Sequence, residues 1–250
     1  MKKIGIIYFS GTGNTEFIAR VIKEEVEKNN IEADLINIEK DRIECENYDS
    51  LIIGSPVYVE RYPELLFEYI KNISEDYKGR CMLFTTQASC KMITAFQHFL
   101  NRVKYLNVTY CAVMSMPNNF YNFMFDKVPD EEKENMILNS TEMCKEAVNN
   151  FLNGKYNFYP VKRSKIIAID LIYKIYYKFF IKSITKNIKI DTSKCIKCKL
   201  CEKKCPVSAI EIRDQVIFKK KCLLCQRCMS NCPKDAFYYK DKKYIQYKLK

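Results

Sequence analysis

The stretch KIGIIYFSGTGNTEFIARVIKEEVEKN, residues 3–29, holds three patterns in succession. Ile4 to Phe9 is a short apolar run, the signature of a parallel strand buried on both faces. Ser10-Gly11-Thr12-Gly13 interrupts it, and beyond Glu16 apolar residues recur at Phe17, Ile18, Val21, Ile22 and Val26, which is helical spacing. A loop that joins a strand directly to a helix turns backbone N–H groups and the helix dipole toward one point, where a phosphate is favoured. This loop lacks the Gly-Lys-Ser/Thr ending of an NTPase loop, and it lacks the third glycine and ribose-binding spacing of a dinucleotide fingerprint. It offers instead the hydroxyls of Ser10, Thr12 and Thr15 around a cup of N–H donors.

The alternation continues outward from this unit. Strand patterns at 33–38, 49–53, 80–85 and 108–114 alternate with helical patterns at 62–73, 92–103 and 130–152, with Pro63 near the first turn of the second helix. Five strands separated by helices predict an α/β fold with a doubly wound, five-stranded parallel sheet covered on both faces. Ligands bind such sheets outside the carboxyl ends of the strands. Three loops leave that edge besides the first: Ser55-Pro56-Val57-Tyr58, Thr85-Thr86-Gln87-Ala88-Ser89-Cys90, and Met116-Pro117-Asn118-Asn119-Phe120. The last is expected to form a domain contact or to cover the ligand.

A second pattern dominates the final quarter. Cys195, Cys198, Cys201 and Cys205 precede Pro206, and Cys222, Cys225, Cys228 and Cys232 precede Pro233, so one C-x2-C-x2-C-x3-C-P run occurs twice at an offset of 27 residues. Zinc sites usually pair two C-x2-C knuckles, whereas three cysteines within seven residues followed by Cys-Pro is the spacing of a four-iron cubane. The repeat extends past the cysteines: Ala209 matches Ala236, Ile210 matches Phe237, and each run leads into a short apolar strand.

Composition places these parts in context. The 250 residues are 48% hydrophobic, and the short apolar start reads as a first strand, since it is not followed by the cleavage site of a secretory signal. Thirteen cysteines, eight in cluster spacing and five scattered, fit a reducing cytoplasm. Residues 1–150 hold 17 Lys+Arg against 23 Asp+Glu, and residues 151–250 hold 25 against 7. A basic half invites a nucleic-acid reading, but thiolate-bound clusters offset part of the charge and an acidic redox partner protein serves the rest. No nucleic acid is expected. The single histidine, His98, falls in a predicted helix and is expected to be structural or solvent-facing.

Between the two patterns, Ile166 to Lys186 is an apolar, aromatic helix candidate with Asp170, Lys174, Lys178, Lys182 and Lys186 every four residues. Its remaining faces are apolar and are expected to bury most of the circumference, as a connecting helix packed between two domains. The charges argue against a membrane span, and contact with a membrane surface is the lesser alternative to the connecting helix. The expected domains are residues 1–153 and 188–250, with 154–187 as the linker.

The Ser/Thr-x-Thr-Gly-x-Thr loop resembles that of the flavodoxin family. The resemblance implies a flavodoxin-like FMN domain in which Ser10, Thr12, Gly13, Asn14 and Thr15 hold the phosphate. It also places Ser55, Pro56, Val57, Tyr58, Thr85, Thr86 and Gln87 near the ring. The chain has no Trp, so ring stacking falls to Tyr58 or to apolar contacts; Cys90 is read as a small buried residue more than a redox thiol.

The cysteine repeat resembles bacterial-type two-cluster ferredoxins, small α+β domains. This implies one [4Fe-4S] cluster on Cys195, Cys198, Cys201 and Cys232, and a second on Cys205, Cys222, Cys225 and Cys228. Neither run has the family's common glycine after the first cysteine; Ile196-Lys197 and Leu223-Leu224 stand there. Together the two parts resemble the EFR1-type ferredoxin fusion family. That resemblance implies electron transfer between FMN and two [4Fe-4S] clusters, to or from a separate redox partner. The alternative is a flavin-dependent oxidoreductase that reduces a small molecule at FMN with the clusters as electron supply.

Overall fold

The apolar run at the start of the chain becomes β1 (Lys3–Tyr8), a strand with neighbours on both sides. The computed structural model describes residues 1–89 and 93–249, so Cys90 and the predicted helix start at Met92 lie outside the described residues. Within them the chain forms two compact units, residues 1–117 with 128–170, and residues 118–127 with 171–250.

In the first unit β1 is followed by α1 (Asn14–Lys28), β2 (Glu32–Asn37), β3 (Ser50–Pro56), α2 (Glu64–Ile70), β4 (Arg80–Gln87), α3 (Thr94–Arg102), β5 (Asn107–Ser115) and α4 (Asp130–Leu152). The five strands are parallel in the order β2-β1-β3-β4-β5. The chain therefore reverses its winding direction between β1 and β3, and the loops after these strands open on either side of the switch point. Ile4, Ile6, Ile7, Ile52, Ile53, Leu83 and Phe84 are fully buried in the sheet, as continuous apolar runs in a two-sided sheet require. Gly54 in β3 has a packing role: a Cβ there would lie 1.9 Å from the Phe84 ring. The predicted doubly wound fold is the fold observed.

The second unit is smaller and built from short elements. A three-stranded antiparallel sheet orders β10 (Lys242–Lys243), β9 (Phe237–Tyr239) and β6 (Ile188–Ile190), and β7 (Ile210–Ile212) pairs with β8 (Val216–Phe218) as a hairpin. Single helical turns α7 (Leu200–Lys203) and α8 (Arg227–Ser230) carry the third cysteine of each run, Cys201 and Cys228. Residues 118–127 contribute to this unit rather than to the first: Phe120 and Phe123 pack at 5.1 Å, and Phe123 meets Tyr239 edge-on at 4.8 Å.

The apolar stretch is helical from Arg163, as α5 (Arg163–Ile175), a π-helical turn (Tyr176–Phe180) and α6 (Ile181–Lys186). The expectation that it buries most of its circumference is corrected. No residue of α5 is buried; Ile167 and Leu171 are each 61% exposed and Phe179 is 59% exposed, while Ile181 and Ile184 join the core of the second unit. The π turn adds one residue to the turn it occupies and so shifts the helical register between the apolar positions of α5 and those of α6.

Candidate cofactor sites

The loop after β1 is shaped by one left-handed residue. Gly13 has φ of 108° and forms the N-cap of α1, where its N–H donates to Ser10 Oγ at 3.2 Å. A Cβ on Gly13 would meet no atom within 4 Å. The glycine is there for its dihedral angle, which carries the strand into the helix.

Two further contacts tie this loop to its neighbours on the same edge. Thr15 Oγ1 and Thr86 Oγ1 share a buried hydrogen bond of 2.6 Å, and Asn14 Nδ2 donates to the Pro117 carbonyl at 3.1 Å. Ser10, Thr15, Ser55, Thr85, Thr86 and Gln87 are all buried, and Thr12, Gly13, Asn14, Pro56, Val57 and Tyr58 are half-buried. Ser55 Oγ donates to the Pro56 carbonyl, and Gln87 Nε2 to the Ser89 carbonyl. Thr85 Oγ1 and Gln87 Oε1 are buried with no hydrogen-bond partner among the described residues. Leaving such atoms unpaired costs about 1–3 kcal/mol each. Two of them at the carboxyl end of one strand mark a place that a polar ligand edge would satisfy.

The loop after β3 holds features the sequence does not announce. Tyr58 and Arg61 exchange backbone hydrogen bonds of 2.8 and 3.1 Å, and the two residues between them, Val59 and Glu60, have φ of 50° and 54°. That is a tight turn of the kind built from Asn-Gly, made here with a β-branched residue at a cost of order 1–3 kcal/mol. Arg61 follows, 1% exposed; its Nη2 donates to Asp170 Oδ1 at 2.5 Å and to the Ile166 carbonyl at 3.3 Å. Glu60 accepts hydrogen bonds from the Thr94 amide and hydroxyl and lies 3.7 Å from Lys165 Nζ. Both charges of the turn are thus clamped, each with a partner on α5, and Asp170 belongs to this clamp as well as to the charged stripe of its helix. No local motif signals an ion pair 109 residues apart in sequence.

Burial holds four further titratable groups of the first unit in their neutral forms. Burial pushes the Cys81 and Cys111 thiols up to about 12 and Cys144 higher still, so they are protonated packing groups. His98 packs edge-on against Phe67 at 5.4 Å; burial, then Arg61 and Arg102, lower its pKa to about 4, which keeps the ring neutral.

In the second unit two cavities divide the eight cysteines. One is lined by Cys195, Cys198, Cys201 and Cys232, the other by Cys205, Cys222, Cys225 and Cys228. Each cavity therefore takes three cysteines from one run and the fourth from the other. Among the described residues no three His, Cys, Asp or Glu side chains converge as a single-ion site. A cubane gives each of its four cysteines a separate iron, so its ligands need not meet at a point.

The backbone repeats with the same offset as the sequence. Lys197, Lys199 and Ser208 have φ of 52°, 58° and 47°, and Leu224, Gln226 and Asp235, 27 residues on, have 52°, 62° and 47°. Lys197 and Leu224 stand in the region where the family glycine is missing, and both still take the left-handed conformation, at roughly 1–2 kcal/mol each. Backbone amides then reach sulfur: Ala209 N–H donates to Cys205 Sγ at 3.1 Å, and its counterpart Ala236 to Cys232 Sγ at 3.5 Å. Such N–H···S contacts suit a thiolate that carries a cluster's negative charge.

Comparisons with known proteins agree with both halves. Residues 5–109 match the family model described as a flavodoxin domain, and residues 188–211 match the model described as a 4Fe-4S binding domain. Among solved structures, a flavoprotein in complex with FMN from Lactobacillus acidophilus is similar at 22% identity, over 45% of this chain and 93% of that one, with a TM-score of 0.40. A flavodoxin bound to flavin mononucleotide from Fusobacterium nucleatum is similar at 16% identity, over 63% and 100%, with a TM-score of 0.43. No curated protein matches the chain. The chain thus joins a flavodoxin-like α/β domain to a 4Fe-4S ferredoxin motif, the two components of an electron-transfer protein. Among the described residues no helix is long and apolar enough to cross a membrane.

Proposed function

We propose that this protein, like the EFR1-type fusions it resembles, transfers electrons between FMN and two [4Fe-4S] clusters and exchanges them with a separate, acidic redox protein. The flavodoxin-like domain lies within residues 1–153, apart from residues 118–127, which pack with the second unit, and the two-cluster ferredoxin domain comprises residues 188–250. The observation that carries this reading is the division of the eight cysteines into two cavities of four, each completed by the other run. FMN exchanges one or two electrons and each cubane exchanges one, so their combination connects pairwise to single-electron chemistry.

The chain's own residues supply the binding. Ser10, Thr12, Gly13, Asn14 and Thr15, in the loop that opens α1, would hold the phosphate, with the hydroxyls of Ser10, Thr12 and Thr15 in place of a basic side chain. Thr85 Oγ1 and Gln87 Oε1, buried without a partner among the described residues, would pair with the polar edge of the ring, and Ser55, Pro56, Val57, Tyr58 and Thr86 would lie beside it. Cys195, Cys198, Cys201 and Cys232 hold one cluster; Cys205, Cys222, Cys225 and Cys228 hold the other. The amides of Ala209 and Ala236 stabilise the thiolates that arise when these cysteines release their protons to bind metal.

Anaerobic reconstitution with iron, sulfide and FMN tests the proposal. Elemental analysis and visible spectroscopy are expected to give about eight irons and one flavin per chain. Zinc in place of iron, or no retained flavin, refutes it.

A further inference from the structure

The two cysteine runs are equal in spacing and unequal in surroundings. Around the cavity of Cys205, Cys222, Cys225 and Cys228 the run residues are enclosed: Cys222 is 9% exposed, Leu224 3% and Gln226 3%. Of the matching residues of the first run, Cys195 is half-buried and Lys197 and Lys199 are exposed. Cys198 is exposed, Ile196 is 59% exposed, and Lys197, Lys199 and Lys234, all exposed, line the same cavity as Cys195, Cys198, Cys201 and Cys232. The nearby carboxylates are engaged: Asp191 with Lys194, and Glu202 as acceptor for the Ile212 amide.

We propose that this patch, an apolar residue at the centre of three lysines beside an exposed cluster ligand, is where an acidic redox protein docks. The cavity of Cys195, Cys198, Cys201 and Cys232 is then the outer of the two electron stations. This rests on the reading of the cavities as cluster sites. A small apolar centre with a charged rim is the anatomy of a brief, steered encounter, in which complementary charge raises the association rate and apolar contact gives a close approach. The partner's sign follows from the rim, and from a C-terminal hundred residues with 25 Lys+Arg against 7 Asp+Glu. Each encounter passes one electron, from the reduced cluster to the partner's oxidised centre.

Two charge-matched variants test this in the holoprotein. Lys197, Lys199 and Lys234 are changed together to Glu, and in a control Lys219, Lys220 and Lys221, equally exposed and near the inner run, are changed together to Glu. An acidic c-type cytochrome serves as protein probe, with ferricyanide and hexaammineruthenium(III) as small anionic and cationic oxidants. Stopped-flow oxidation of the first variant by the cytochrome and by ferricyanide is expected to slow by about tenfold or more, with a flattened salt dependence, while oxidation by hexaammineruthenium(III) speeds up. The control is expected to change about twofold or less. Independently of turnover, carbodiimide cross-linking of the oxidised wild-type protein to the cytochrome, read by mass spectrometry, is expected to join Lys197, Lys199 or Lys234 to the probe's carboxylates. Equal effects of the two variants, or cross-links centred elsewhere, overturn the docking face. Iron content measured on the same samples separates the two levels: iron-free protein refutes the cluster reading, and iron-replete protein with equal effects refutes the docking face alone.

Discussion

Replacing Leu224 and Lys197 by alanine, one at a time, perturbs the same position of two runs that share cysteine spacing and differ in burial. Both residues have φ of 52°, so alanine inherits the same left-handed backbone in each and that penalty cancels from the comparison. Burial does not cancel. Leu224 is 3% exposed in the core of the second unit, with Ile190, Ile210 and Met229 in the same cluster, whereas Lys197 is exposed. Truncating a buried leucine costs about 3 kcal/mol through lost transfer energy and the cavity left behind, while truncating an exposed lysine stays within about 0.5 kcal/mol. For a unit of this size urea acts with a slope of about 1–1.5 kcal/mol per molar. Leu224→Ala is therefore expected to lower the anaerobic urea midpoint, followed by visible cluster absorbance and near-UV circular dichroism, by about 2–3 M. Lys197→Ala is expected to lower it by less than about 0.5 M. Equal shifts would refute the asymmetry, and with it the reasoning that separates an outer run from an inner one.

Cys205→Ser is expected to disturb the cluster held with Cys222, Cys225 and Cys228, and Cys232→Ser the one held with Cys195, Cys198 and Cys201; paramagnetic resonance of each reduced variant checks this, and loss of the opposite cluster alone contradicts the crossed assignment. Gly13→Ala meets no steric obstacle and acts only through its φ of 108°, so it is expected to cost about 1–2 kcal/mol and weaken FMN binding about tenfold by fluorescence titration. Asp170→Ala leaves the Arg61 guanidinium buried without its counter-charge and is expected to destabilise the first unit by about 2 kcal/mol, while Arg61→Met, which removes the buried charge itself, is expected to cost less; thermal denaturation ranks the pair. The His98 pKa falls from 6.5 to about 4 on folding, so between these values the unfolded chain binds more protons than the native one, and stability contributed above pH 6.5 is lost as pH falls toward 4. Near-UV circular dichroism of urea unfolding at pH 7 and pH 5 is expected to show this loss, and His98→Phe to reduce it.

The sheet and its ligand edge were legible because they rest on local patterns. Runs such as Ile4–Phe9 and the glycines of Ser10–Thr15 carry their geometry with them, since a strand covered on both faces needs continuous apolar side chains and a strand-to-helix loop needs a left-handed residue. The cysteine repeat was legible for a related reason: Cys-x2-Cys spacing follows from the reach of a short loop around a cluster, and the offset of 27 recurs in the backbone of Lys197 and Leu224. Other features resisted local reading. Val59 and Glu60 contradict the turn they form, and nothing near Arg61 in sequence predicts its burial or its pairing with Asp170.

What the chain of residues settled alone was therefore the alternation of strands and helices, the glycine loop after the first strand and the doubled cysteine spacing, all properties of segments a few residues long. Three-dimensional packing decided that the α5 face stays exposed, and that Leu224, Gln226 and Met229 of one run are buried while the other run opens at Ile196 and Cys198. Two segments of equal spacing acquire different surroundings only when distant elements pack against one and not the other, and burial is a property of those neighbours rather than of the segment.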